Sequence, residues 1–202
     1  MDENENIFAV ATDFETTGLD AINNIPLEVG IKIIDKEGFI FAEKDWLIWE
    51  SHSDWTIEMG LAASREFVGE MHDKSGLWDD ILENRGKTTF TRAAADIDIC
   101  EFLTNNGVRY GSVPMLGNSI GSLDRPFALQ HFPEFNKHLH YRNIDISTIK
   151  ELCKAHNPTL FENLRPIIGD KSMATHRVLD DIDACITEYR AYIENFFFVE
   201  ED

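Results

Sequence analysis

The chain has 202 residues, 43% of them hydrophobic; that is enough to bury a core in one domain and too apolar for a disordered chain. No apolar run reaches the roughly 20 residues of a membrane span, and the acidic start Met1-Asp2-Glu3-Asn4-Glu5-Asn6 lacks the basic-then-apolar pattern of a signal peptide. The net charge of −19 argues against a surface for long nucleic acid, because holding many phosphates draws on basic residues.

Two ways of meeting phosphate stay open to so acidic a chain. Its carboxylates can hold divalent metals that in turn hold phosphate, or the ligand can be short enough for a few local contacts. Cys100, Cys153 and Cys185 stand far apart in apolar surroundings. Their odd number and spacing fit reduced thiols rather than a disulfide framework or a metal site, and a cytoplasmic location is expected. One domain is expected over 1–202, with an acidic extension at 1–6 and a tail at 196–202.

In chain order, the apolar run Ile7 to Ala11 predicts a buried strand ending at Thr12-Asp13. Glu28 to Ile34 predicts a second strand and Phe39 to Ile48 a third, across the turn Asp35-Lys36-Glu37-Gly38. Helical spacing follows over Leu77–Leu82 and over Ala93–Leu103, where Ala94, Ile97 and Ile99 carry the apolar load. Asn105-Asn106-Gly107 ends that helix. Val113 to Leu116 reads as a short strand entering Gly117-Asn118, and a helix starts near Asp124 with Pro126 in its first turn. Tyr141 to Ile146 is the next strand. Ser147-Thr148 caps a helix, with Thr148 and Glu151 as a capping box. Residues 157–175 read as a loop. The last helix begins near His176, and Val178, Leu179, Ile182, Cys185, Ile186 and Tyr189 follow helical spacing. Three strands, helices, then alternating strand and helix suggest an α/β layer with a mixed sheet.

Three elements carry chemistry. In Asp13-Phe14-Glu15 two carboxylates lie on one face of a strand end. So close together they repel and favour a cation between them, and all-oxygen ligands suit Mg2+ or Mn2+. Asp124 follows a loop whose Gly117 and Gly121 permit close backbone approach to a ligand, with Arg125 placed to touch phosphate or solvent. His176 and Asp181 can face one cleft if His176 lies just before the helix, while Asp180 points elsewhere. Each element has an ordinary explanation: a polar strand end, a helix N-cap, a solvated helix face.

Taken in order, Asp-x-Glu, an Asp after Asn118-Ser119-Ile120-Gly121, and His-x4-Asp resemble the proofreading-type (DnaQ-like, DEDDh) exonucleases. The stretches Asp13 to Asp20, Met71 to Leu77, Gly117 to Gly121 with Asp124-Arg125, His140 to Thr148, and Thr175-His176 with Asp180-Asp181-Ile182 are similar to oligoribonucleases. The likeness runs from about Ile7 to Tyr192. It departs at three points: Ser122 and Leu123 stand where one residue is expected, the loop before His176 is longer, and Phe67 replaces a tryptophan.

The resemblance implies a ribonuclease H-like fold with a mixed five-stranded sheet. It also implies a 3′→5′ exonuclease releasing 5′-mononucleotides from short RNA or dinucleotides. Asp13, Glu15, Asp124 and Asp181 would hold two Mg2+ or Mn2+ ions, and His176 would be the general base, a task suited to imidazole near neutral pH. Leu19 would wedge between bases, Phe67 would stack on one, and His72 and Tyr141 would contact substrate. Ser119, with Arg142 and Ser147 of a second subunit, would cap the 5′ phosphate, which requires a homodimer. Two other readings stand beside this one: a general or proofreading-type exonuclease on single-stranded DNA, and a catalytically silent nucleotide- or partner-binding module. Trp46, Trp49, Trp55 and Trp78 are assigned to packing, and Phe196-Phe197-Phe198-Val199 to core or subunit contact.

Overall fold

A computed structural model describes residues 6–50, 67–169 and 175–196. The apolar run Ile7 to Ala11 passes into β1 (Ala9–Thr16), which extends five residues beyond Ala11 because Thr12, Asp13, Phe14, Glu15 and Thr16 continue the ladder to β2 (Pro26–Ile34). β2 pairs antiparallel with β3 (Ile40–Leu47). β4 (Met115–Gly117) runs parallel to β1, and β5 (Asn143–Asp145) runs parallel to β4. The five-stranded sheet has the order β3-β2-β1-β4-β5. It is the mixed sheet expected, with the first strand of the sequence at its centre.

Helices cover both faces. In chain order they are α1 (Phe67–Lys74), α2 (Leu77–Asn84), α3 (Arg92–Asn105), α4 (Asp124–His131), α5 (Pro133–His138), α6 (Ile146–His156), α7 (Pro158–Ile168) and α8 (Val178–Phe196). Strand alternation divides the core. Val10 and Phe14 of β1 join Ile31, Ile33, Ala95, Ile99, Leu103, Phe127, Phe132 and Phe135 on the α3–α5 side. Ala9 and Ala11 join Ile146, Cys153, Leu164, Ile182, Cys185, Ile186 and Tyr189 on the α6–α8 side. Asp13 and Glu15 follow Ala9 and Ala11 in the two-residue period, so they emerge beside α8 while Phe14 packs on Phe127 and Phe132.

Several local expectations give way to packing. Residues 157–175 contain α7: Asn157 Oδ1 accepts from the Leu160 amide at 3.1 Å, Pro158 occupies the first turn, and Leu160, Phe161, Leu164 and Ile168 meet the core. Two prolines and a glycine masked that periodicity. α6 is capped by Asp145, which accepts from the Ser147 amide, rather than by the Thr148–Glu151 box. In α3 the buried set is Ala95, Asp96, Ile99 and Leu103, while Ile97 is exposed. Trp46 and Trp78 are buried in separate clusters and Trp49 packs against that of Trp78; Trp55 and residues 197–199 lie outside the described residues. Among the described residues no helix is long and apolar enough to cross a membrane.

Candidate active site

The end of β1 projects Asp13 and Glu15 toward the start of α8. Gly30, the cross-strand partner of Asp13, makes this approach possible: a Cβ there would stand 2.6 Å from Cβ of Val178, closer than atoms pack. Val178 is the first residue of α8, so the helix begins against the bare backbone of β2. His176 lies before the helix with φ of 55°, an uncommon backbone state for a residue with a side chain and one that concentrates at functional sites. The left-handed kink turns its imidazole back over β1. One ligand atom each from Glu15, His176 and Asp181 lie within 4.8 Å of one another.

Asp124 closes the group from the other side of β1. It is 1% exposed, and its Oδ1 accepts from the Phe14 amide at 3.1 Å. That bond ties α4 to the peptide between Asp13 and Glu15. The electrostatics join all four acids. Burial first, then Asp181 and Glu28, raise the pKa of Asp13 to about 8. Burial, then Asp13, Asp181 and Glu28, raise Glu15 to about 9. Asp124 is also raised, by burial and by Asp13, and Asp181 by burial, with His176 opposing. Like charges held out of water favour protonation or a cation. The donor set is carboxylate oxygen plus one imidazole and fits Mg2+ or Mn2+.

An acid–base frame surrounds the group. Glu28 is buried and accepts from Arg177 at Nε, at 3.3 and 3.2 Å, and at Nη2, at 2.9 Å. Arg177 Nη1 reaches Asp80 at 2.6 Å. This fork neutralises Glu28 and locks the residue after His176 onto β2. Sequence reasoning passed over Glu28, Asp80 and Arg177, whose link depends on the β1–β2 register and the placing of α2.

A cavity of about 550 Å³ opens from Asp13, His176, Asp180 and Asp181 toward Lys150 and Glu188, which pair at 2.8 Å. Asp180 accepts from Thr175 Oγ1 at 2.9 Å, so the exposed acid of the pair steadies the chain entering His176.

The residues expected to hold substrate are dispersed. Leu19 is 78% exposed and Tyr141 74% exposed, on different loops. Arg142 lies over the Tyr141 ring at 5.4 Å. His72 is fully buried: its Nε2 meets the Thr16 carbonyl at 2.8 Å and its Nδ1 lies 3.7 Å from Glu15 Oε2. It therefore stands behind Glu15 rather than in the cavity, and burial lowers its pKa. The Phe67 side chain lies outside the described residues. Ser119 and Ser147, expected on different subunits, touch within one chain: the Ser119 amide donates to Ser147 Oγ at 3.0 Å. They line a second cavity of about 440 Å³ with Ser122, Asp145, Thr148, Glu151 and Leu152. It shares no lining residue with the first.

The glycine loop also differs from expectation. A Cβ at Gly117 would meet the Thr12 carbonyl at 2.8 Å, so its close approach is to the protein's own strand. Arg125 turns inward from α4, donating to the carbonyls of His140 at 3.0 Å and Asn136 at 3.4 Å. It thus braces the loop before Tyr141 rather than facing solvent or phosphate.

A central β1 flanked by acids from α4 and α8 defines a nuclease-type carboxylate centre on a ribonuclease H-like sheet. The RNase T exonuclease family model matches residues 10–189. Mouse mitochondrial oligoribonuclease is 35% identical over 193 residues, covering 96% of this chain and 75% of that protein. Oligoribonuclease of Colwellia psychrerythraea is 35% identical over 185 residues, covering 92% and 93%. Among solved structures, the zinc-bound form of the E. coli exonuclease I complex with single-stranded DNA superposes with a TM-score of 0.62 at 13% identity. It covers 93% of this chain, which spans 40% of that one. The chain belongs to the exonuclease family, among its oligoribonuclease-like members.

Proposed function

We propose that this protein is a 3′→5′ exonuclease that removes 5′-mononucleotides from short RNA, with Asp13, Glu15, Asp124 and Asp181 holding two Mg2+ or Mn2+ ions and His176 as general base. The carrying observation is the convergence of Glu15, His176 and Asp181 ligand atoms within 4.8 Å, beside the buried Asp124 and the half-buried Asp13. When bound, divalent ions supply the positive charge that offsets the phosphodiester and favours attack by water near neutral pH. His176 accepts a proton from the attacking water. The water oxygen bonds to phosphorus as the bond to the 3′ oxygen breaks, and that oxygen leaves with a proton from solvent. Asp181 faces the imidazole, which opposes the burial that raises the Asp181 pKa.

Leu19, Phe67 and Tyr141 are assigned to the bases, and Ser119, Arg142 and Ser147 to the terminal phosphate. The separation of the serine cavity from the carboxylate cavity supports a homodimer in which one subunit's serines, Tyr141 and Arg142 serve its partner's site. His72 acts behind Glu15, holding its place. We read 1–202 as one exonuclease domain acting in the cytoplasm, where the separated thiols of Cys100, Cys153 and Cys185 stay reduced.

The test incubates purified protein with Mn2+ and 5′-labelled RNA of two to seven nucleotides, beside matching DNA, with Asp13→Ala and His176→Ala as controls. Fast cleavage of the RNA dimer, abolished in both variants, supports the proposal. Equal rates at every length favour a general exonuclease. No cleavage, with variants and wild type alike, leaves a binding module.

A further inference from the structure

α4 carries functional atoms at both ends. Its first residue, Asp124, holds the Phe14 amide. Its last, His131, reaches the turn that follows β1: Nε2 lies 2.9 Å from the Ala21 carbonyl and 3.1 Å from that of Asn24. The other ring nitrogen, Nδ1, lies 2.9 Å from Arg92 Nη1. A guanidinium only donates, so Nδ1 must accept and Nε2 must carry the proton. Arg92 is fixed in turn by a two-point pair with Glu50, Nε to Oε1 and Nη2 to Oε2, each 2.9 Å. The imidazole stacks on Phe127, centroids 5.6 Å apart, and burial lowers its pKa, favouring the neutral ring.

We propose that His131, held as the Nε2–H tautomer by Arg92 and Glu50, is a positioning residue that sets the Leu19 turn at a fixed distance from the carboxylates. This rests on the substrate role assigned to Leu19 above. The turn has local bonds of its own: Thr17 and Ile25 exchange hydrogen bonds, and Asp20 accepts from the amides of Ile22, Asn23 and Asn24; its accepting atoms are a carboxylate oxygen for Ile22 and the main-chain carbonyl for the other two. These bonds shape the turn without orienting it against the rest of the molecule. Ala21 and Asn24 flank the exposed Ile22 and face His131 with carbonyls that no other side chain engages among the described residues. One α-helix, rigid over eight residues, thus fastens the acids at one end and the base-contacting turn at the other. A residue so placed governs where substrate lies and takes no part in proton transfer.

The experiment uses the full chain. Long-range 1H–15N correlation reads the tautomer. Amide exchange without substrate reads the turn, and kinetics on a labelled RNA dinucleotide follow for wild type, His131→Phe, His131→Gln and Arg92→Met. Phe keeps the stack on Phe127 and removes both ring nitrogens, whereas the Gln amide can still donate where Nε2 stood. The proposal expects Nε2–H in wild type and a mixed tautomer in Arg92→Met. It expects exchange at residues 19–25 at least 10-fold faster in His131→Phe, with β4 unchanged. KM should rise about 10-fold in that variant with kcat within 2-fold, and His131→Gln should recover to within 3-fold. An Nδ1–H tautomer, an unchanged turn in His131→Phe, or a loss confined to kcat would overturn it. If the wild type cleaves nothing, the exonuclease assignment fails on its own, and tautomer and exchange still decide whether His131 orders the turn.

Discussion

Gly30 and Val178 meet across a gap that admits no side chain: a Cβ added to Gly30 would lie 2.6 Å from Cβ of Val178. The same strand position pairs with Asp13, so the spacing between β2 and α8 sets the distance from the β1 acids to His176 and Asp181. Gly30→Ala is expected to push α8 outward, costing about 1–3 kcal/mol as overpacking. Activity should fall at least 10-fold, while Gly121→Ala, in open surroundings, changes it less than 2-fold. Thermal melts and dinucleotide kinetics on both variants check this.

The acids repel one another in the metal-free protein. Asp13→Asn keeps the shape and removes a carboxyl group that burial and like charges hold protonated in the folded chain, and is expected to raise the metal-free Tm at pH 7 by a few degrees while cutting kcat at least 100-fold, the trade between stability and a strained site. A lower Tm for Asp13→Asn without metal would contradict the repulsion inferred from its raised pKa.

That repulsion fixes a pH dependence. Asp13 is raised from 3.8 to about 8 and Glu15 from 4.5 to about 9, so between these limits the folded chain holds protons that the unfolded chain has released. Their contribution to stability is fully present below about pH 4 and is lost as pH rises through 8 to 9. Divalent metal must displace these protons, so its affinity rises over the same window. At 100 times Kd, metal adds about 2.7 kcal/mol, about 5–10 °C in Tm for a chain of this size. Scanning calorimetry with EDTA or Mn2+ at pH 5, 7 and 9 should show the metal-induced rise in Tm growing with pH. A rise independent of pH would count against metal binding at these acids.

Arg177 holds the buried carboxylate of Glu28. Removing the guanidinium leaves that charge without its partner, so Arg177→Met is expected to cost about 2–4 kcal/mol. Adding Glu28→Gln should recover at least half of it. Denaturant melts of the two single variants and the double variant measure the coupling; additive losses would show that the pair is not a unit.

Part of this was legible in the sequence because it is local. Strand period placed Asp13 and Glu15 on one face and Phe14 on the other, and the apolar spacing of Val178, Ile182, Cys185, Ile186 and Tyr189 identified α8 and its buried side. α7 was obscured because Pro158, Pro166 and Gly169 are the residues that usually break helices. Here Pro158 sits where no amide is needed and Gly169 follows the last turn.

The order of the four acids and His176 along the chain, with their residue types, was enough to point to the exonuclease family, because that resemblance lies in short local motifs that need no tertiary structure to be read. What only the tertiary structure decided are relations between distant segments. Glu28 lies behind the acids because β2 pairs with β1 in one register. His72 sits behind Glu15, Ser119 beside Ser147, and Arg125 under the loop before Tyr141. His131 is fastened to a turn more than a hundred residues earlier. Each is a hydrogen bond or steric contact between residues whose separation along the chain says nothing of their separation in space; the sheet order β3-β2-β1-β4-β5 and the packing of helices on both its faces create them.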